Sequence, residues 1–328
     1  MRLELFRSCF SRRQRKYFVT VLLGLVECEG RRTLRGLLQA VWEQVSLSGL
    51  SRFLGRWPWS PLDLVHVWLA AMRREAGLPV PEPVPRLNGG LLTPLSIPGI
   101  PEARHCALLR WVKGRLLENG RLEHYRAQGR LMARMHNFTQ QWQQLASDQT
   151  KRHYNWNGLF MNHPEIGLPP GKSWEYLPAD WGAPFESVAR QFRQLIDAWG
   201  TGPEVYGLIH ADMGLDANLL FWRGQPRPID FDGSGFGYWM YDLAAAIAHC
   251  IGTADYPRVR DALFAGYAEH RSLPDGQFAQ WDLFTAAFYV YYILWMVGVA
   301  HLHPGCLDQD QEEAMYRGAA FIIGRDAR

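Results

Sequence analysis

Lysine is the scarcest charged residue of this chain: four occur in 328 residues, Lys16, Lys113, Lys151 and Lys172. Ahead of residue 112 only Lys16 occurs, inside Arg12-Arg13-Gln14-Arg15-Lys16, a charge run that reads as a solvated face rather than a buried strand. No Gly-x-Gly-x-x-Gly precedes residue 112 either, so the front of the chain lacks both a glycine-rich phosphate loop and a strand lysine. Cysteine is sparse too. Cys9, Cys28, Cys106, Cys250 and Cys306 form no Cys-x-x-Cys pair, which excludes a zinc ribbon or a disulfide framework and points to reduced thiols in cytoplasm. His301-Leu302-His303 has no third ligand at helical or hairpin spacing and reads as a helix end. A net charge of +3 and a pI near 8.6 are too mild for nucleic-acid binding by the whole chain. Two apolar runs could pass for membrane signals. Tyr17 to Val26 is followed by Glu27-Cys28-Glu29 with no small-residue cleavage site, and Leu283 to Ala300 contains Thr285, Tyr289, Tyr291, Tyr292 and Gly298. Both read as buried helices, and no membrane partner is expected.

What is present concentrates between residues 205 and 243. Gly207-Leu208-Ile209 reads as a short buried strand entering a loop with His210 and Asp212. Leu219 to Trp222 and Arg227 to Ile229 read as two strands around the turn Arg223-Gly224-Gln225-Pro226. The hairpin returns Asp230 beside Asp212 and Asn218. Moving a phosphoryl group needs one carboxylate to accept the nucleophile's proton, and an amide plus a second carboxylate to hold magnesium on the nucleotide phosphates. Asp212, Asn218 and Asp230 are of those three kinds. The plainer reading is that Asp212 and Asp216 cap a turn and Asp230 ends a strand. Gly235-Phe236-Gly237 reads as a turn.

On these residues the segment resembles the aminoglycoside phosphotransferase family, small-molecule kinases of protein-kinase-like fold that include choline and homoserine kinases. The shared pattern is His-x-Asp at 210–212, a nearby Asn, and Ile229-Asp230-Phe231 after the hairpin. The resemblance implies Asp212 as catalytic base, His210 as a buttress of the loop, Asn218 and Asp230 as magnesium ligands, and Asp242 of Tyr241-Asp242-Leu243-Ala244 as the tie of the loop backbone. Ala217 stands where the family places its Asn, so the loop must absorb one extra residue. The resemblance extends over roughly residues 66 to 328. Asn88-Gly89 between apolar runs is a hairpin signal in its own right. Ala107 to Arg115 resembles the family's hinge, which implies that adenine binds along Leu109, Arg110, Trp111 and Val112. Gly129 to Phe138 resembles the helix that follows the hinge and packs under the catalytic loop. Asp63 to Glu75 resembles part of the family's pairing helix, with Val65 in place of its glutamate.

Residues 1–62 read differently: they hold eleven Lys/Arg against four Asp/Glu. Apolar residues recur there at helical spacing, and the order Phe-x-x-x-Gln-Arg-Lys-Tyr-Phe, Arg-x-Leu, Leu-x-x-Phe-Leu-x-x-x-Pro-Trp resembles the amino-terminal segment of certain insertion-sequence transposases. Three segments are therefore expected: a basic helical module over 1–62, a partial amino-terminal lobe and hinge over 63–112, and a kinase-like carboxy-terminal lobe over 113–328. The expected fold class is α+β, a protein-kinase-like fold with a truncated amino-terminal lobe and a mostly helical carboxy-terminal lobe. The favoured function is ATP- and Mg2+-dependent phosphorylation of a small-molecule hydroxyl in the cytoplasm, at low turnover. Asp308, Asp310, Glu312 and Glu313 lean slightly toward a cationic acceptor, although a solvated helix start explains them equally well. Two other classes stand beside it: an inactive remnant or binding module, and a weak nucleic-acid binder built on residues 1–62.

Overall fold

The computed structural model describes residues 61–95, 104–117, 120–141, 152–162, 168–273 and 276–326. The basic module and the Tyr17–Val26 helix expected in residues 1–62 lie, but for Pro61 and Leu62, outside the described residues. The chain divides into two compact units, Met1–Val112 and Lys113–Arg328.

In the first unit, helix α1 (Pro61–Ala76) buries Val67, Trp68, Ala71 and Met72, a stripe at helical spacing. It stops at Gly77, whose φ of 59° favours glycine, and the Leu78 amide then donates to Met72 O at 3.1 Å. Strand β1 (Leu92–Leu95) pairs antiparallel with β2 (Arg104–Ala107), Leu92 opposite Ala107. Pro83 bridges Leu109, with Val84 N donating to Leu108 O at 2.8 Å. The Asn88-Gly89 turn forms, held by Gly90 N on Asn88 Oδ1 at 3.1 Å and Arg86 N on Gly90 O at 2.8 Å. It does not, however, join the two strands of a hairpin. It closes an excursion between two stretches that pair with the same segment, because Pro85 has no N–H with which to continue the ladder beyond Val84.

The second unit opens with α2 (Leu122–Thr139), followed by β3 (His153–Tyr154), the short helices α3 (Trp156–Phe160) and α4 (Pro170–Ser173), and α5 (Gly182–Trp199). Next come β4 (Tyr206–Ile209), β5 (Leu219–Trp222), β6 (Gln225–Pro228) and β7 (Gly235–Tyr238). The rest is helical: α6 (Trp239–Ala246), α7 (Tyr256–Ala268), α8 (Trp281–Leu302) and α9 (Gln309–Asp326). β7 is the centre of a three-stranded sheet, parallel to β3 and antiparallel to β4. Gly235-Phe236-Gly237 is therefore strand, not turn. Gly237 leaves room for Ile209 and Tyr154 to close on the backbone, and a Cβ there would meet Tyr154 Cβ at 3.0 Å. The β5–β6 turn is also tighter than expected. Arg223 (φ 51°) and Gly224 (φ 75°) make it alone, both left-handed as a two-residue hairpin turn requires, so Gln225 already pairs with Trp222.

The apolar run expected to be a buried helix is α8. The stretch Phe278–Leu302 is long and apolar enough to span a bilayer, but 67% of its apolar window is buried within the protein, as in a core helix. His301 lies in the last turn of α8 and His303 caps it. Asp308 caps α9 reciprocally with Gln311, its Oδ1 accepting from Gln311 N at 2.8 Å while its own amide donates to Gln311 Oε1 at 3.0 Å.

Candidate active site

β4, an edge strand paired with β7, is nonetheless mostly buried, and it delivers the chain into a loop whose first residue, His210, is wholly buried. His210 Nε2 lies 3.0 Å from Ile229 O, an acceptor only, so this nitrogen carries the proton. Nδ1 is left to accept the Asp212 amide at 3.3 Å. Burial lowers the His210 pKa, against the opposing pull of Asp242 and other acceptors, and the ring stays neutral. Ala211 has φ 68°, a left-handed conformation costing an L-residue about 1–2 kcal/mol. Its amide donates to Asp242 Oδ1 at 2.6 Å. Asp242, on α6 and 1% exposed, accepts at Oδ2 from His136 Nε2 at 2.8 Å. His136 Nδ1 in turn accepts from the Tyr267 hydroxyl at 2.8 Å. A buried chain from Tyr267 through His136 and Asp242 thus fixes the strained peptide next to Asp212. Burial lowers the His136 pKa, so the relay rests on a neutral ring.

The extra residue is taken up by a tight turn in which Gly214 O accepts from the amides of Ala217, Asn218 and Leu219 at 3.3, 3.0 and 2.9 Å. Asn218 consequently still faces Asp212. Its Nδ2 donates to Asp212 Oδ2 at 2.8 Å and to Asp212 O at 3.0 Å, which leaves Oδ1 as the oxygen free to meet a cation. Ile229 N donates to Asn218 O at 2.9 Å, so the hairpin brings Asp230 back to Asn218. Asp230 takes φ 60°, which Asp tolerates better than most residues. Its carboxyl shares a hydrogen bond with Asp232; that contact first, then burial, then repulsion from Asp232 and Asp212, push its pKa up to about 6. Asp212 is raised as well, by burial foremost and by Asp232 and Asp216, with His210 opposing. Asp212, Asp230 and Asp232 thus repel one another in one field, a repulsion that a cation would relieve. Among the described residues no group of three His, Cys, Asp or Glu side chains makes a metal cage by itself. That suits magnesium, which takes one or two protein oxygens and completes its shell with phosphate and water. The residues present therefore fit the metal.

Leu109, Arg110, Trp111 and Val112 end the first unit. Leu109 and Trp111 are 40% and 91% exposed, and Arg110 donates from its amide to Glu82 O at 2.9 Å and from Nε to Glu82 Oε1 at 3.1 Å. Four further residues support the site without being marked by the sequence motif: Asp232, His136, Tyr267 and Gln128, whose Nε2 donates to Met213 O at 2.6 Å beneath the loop. Gln128 and His136 could have been found, since they are polar residues on the apolar stripe of α2 with Tyr125, Met132, Met135 and Thr139.

The sequence model of the APH phosphotransferase enzyme family matches residues 52–278 and so reaches into the basic segment. A search of curated proteins gave no match. Among solved structures, the chain is similar to a microcompartment-associated aminopropanol kinase at 24% identity, covering 80% of each chain, with a TM-score of 0.63. It is similar to an amicoumacin kinase solved with AMP-PNP, Ca2+ and Ami at 19% identity, covering 81% of this chain and 78% of that one, with a TM-score of 0.63. An aminoglycoside phosphotransferase from Alicyclobacillus acidocaldarius subsp. acidocaldarius follows at 16% identity, 82% and 81% coverage and a TM-score of 0.50. These likenesses establish the expected protein-kinase-like mixed fold with its helical carboxy-terminal part.

Proposed function

The chain belongs to the APH phosphotransferase enzyme family, and from that premise we propose that it transfers the terminal phosphoryl group of ATP to a hydroxyl of a small molecule. Asp212 is the base that accepts the hydroxyl proton. His210 and Asp242 hold its backbone, and Asn218 orients its carboxylate. Asn218 Oδ1 and Asp230 would hold magnesium, which when bound neutralises charge on the nucleotide phosphates. The observation that carries this reading is the Asn218 amide on Asp212 Oδ2 at 2.8 Å, which forms despite the extra loop residue and holds the base against the proposed metal ligand. Leu109 to Val112 are proposed as the adenine edge, and the cytoplasm as the place of action.

A cationic acceptor fits the local field. The phenol of Tyr292 on α8 is pushed up by burial and then by Asp308, Asp212 and Asp216, with Arg317 opposing, so acidic groups of the loop and of the start of α9 act on one aromatic side chain. The test is ATP consumption with amino-alcohol and aminoglycoside acceptors, comparing the wild type with Asp212→Asn. Loss of a positioned base is expected to cost about 10²–10⁴ in turnover, and equal rates in the two proteins would end the assignment. An inactive relic is the second reading, favoured by one observation: Lys16 alone among the lysines precedes the hinge.

A further inference from the structure

Arg152 and Tyr154 have no part in the catalysis just proposed, yet both reach the loop that carries Asp230 and Asp232. β3 holds them there. It runs parallel to β7 with His153 opposite Phe236 and Tyr154 opposite Gly237, and Arg152 O accepts from Phe236 N at 2.9 Å. The Tyr154 hydroxyl donates to Gly233 O at 2.5 Å and accepts from Arg152 Nη1 at 3.3 Å. Its orientation is thereby fixed from both sides, because a phenol has one proton to give. Tyr154 is 4% exposed, with its ring 5.2 Å from that of Tyr241. A Cβ built on Gly233 would lie 3.5 Å from Arg152 Nη1 and 3.8 Å from His210 O, so the guanidinium sits where the carboxylate loop meets the catalytic loop.

The electrostatics separate a direct role from an indirect one. The leading charges at Asp212 are His210, Asp232 and Asp216, and those at Asp230 are Asp232 and Asp212; Arg152 is not among them. At the Tyr154 phenol, by contrast, Arg152 is the foremost charge and Asp212 follows. The guanidinium thus reaches the Gly233 carbonyl through the phenol.

We propose that Arg152 and Tyr154 are positioning residues that set the Asp230–Asp232 loop, so that affinity for magnesium-bound nucleotide depends on a strand outside the catalytic segment. This rests on the phosphotransferase reading. The experiment is calorimetry of the full chain with ATP plus magnesium and with adenosine, on wild type, Tyr154→Phe, Arg152→Met and Arg152→Lys, with thermal midpoints measured alongside. Tyr154→Phe keeps the ring and removes both hydrogen bonds of the hydroxyl, so Mg–ATP should weaken roughly five- to tenfold while adenosine affinity and the midpoint stay put. Arg152→Met should do the same, and Arg152→Lys should recover part of the loss. Wild-type affinity for Mg–ATP in both Tyr154→Phe and Arg152→Met would overturn the proposal, as would parallel loss of adenosine and Mg–ATP, which marks general packing. Absence of magnesium-dependent binding in the wild type would remove the phosphotransferase reading and this proposal together.

Discussion

Asp230 and Asp232 stand two positions apart, and the effect of Asp232 on the Asp230 carboxyl has a consequence for stability that differs from the consequence for binding. The folded pKa of Asp230, about 6, lies above its ordinary 3.8, so between those values the folded state holds a proton that the unfolded chain releases. Its ionised form is therefore a burden above about pH 6 that is relieved as pH falls through that value. His136, His210 and His249 pull the other way: burial lowers each pKa, so the unfolded chain takes protons that the folded one refuses, and their share of stability is lost in acid. The effect of Asp230 is best read as a difference. Asp232→Asn should melt above wild type at about pH 7.5, and the gap should close toward about pH 5. A gap independent of pH would mean that the two carboxyls do not share a proton. Behind them, His136→Leu would strand Asp242 Oδ2 in the core at a cost of about 1–3 kcal/mol, whereas Tyr267→Phe should cost about 1 kcal/mol. Urea titration measures both, and the opposite ranking would remove Asp242 from the centre of the relay.

Among the elements, α2 and α7 cross at backbone contact because each carries a glycine at the crossing. A Cβ at Gly129 would run into Leu263 O, and one at Gly266 would run into Arg126 O. Either Gly→Ala change should destabilise by about 1–3 kcal/mol despite the better helix propensity of alanine, since backbone cannot move aside as a side chain can. A gain in thermal midpoint for Gly129→Ala would contradict this packing. These elements also show how much could be read in advance. β4, β5 and α8 were legible because their apolar runs are local, α2 was expected from the family resemblance, and the His210–Asp212–Asn218–Asp230 set was legible because a turn and a hairpin bring it together. The short turn at Arg223-Gly224 escaped because arginine is an unusual first residue for it, and its left-handed φ is set by the pairing of β5 with β6. β3 escaped altogether. Two residues have no period, and the partner that makes them a strand, β7, lies some eighty residues further along the chain.

For the whole molecule, charge is divided unevenly: residues 1–62 carry eleven Lys/Arg against four Asp/Glu while the chain nets only +3, so the remainder is acidic. On the proposed function, a nucleotide polyanion would have to be bound where Asp212, Asp216, Asp230 and Asp232 lie close together, without a strand lysine or a glycine-rich loop that the sequence shows. On that reading a divalent metal would be the dominant compensating charge, and adenine recognition along the backbone of Leu109 to Val112 would be the part least affected. Calorimetry of the full chain should accordingly find ATP and adenosine binding with similar, weak affinity in the absence of magnesium. Magnesium should strengthen ATP alone, by no more than about tenfold, or 1.4 kcal/mol, and Asp230→Ala should erase that gain without touching adenosine. Magnesium-dependent ATP binding at micromolar strength, with ATP consumption lost in Asp212→Ala, would show instead that the phosphates are gripped by arginine. Arginine's planar fork can bind phosphate in place of the missing lysine, and the low turnover expected of this chain would then be wrong.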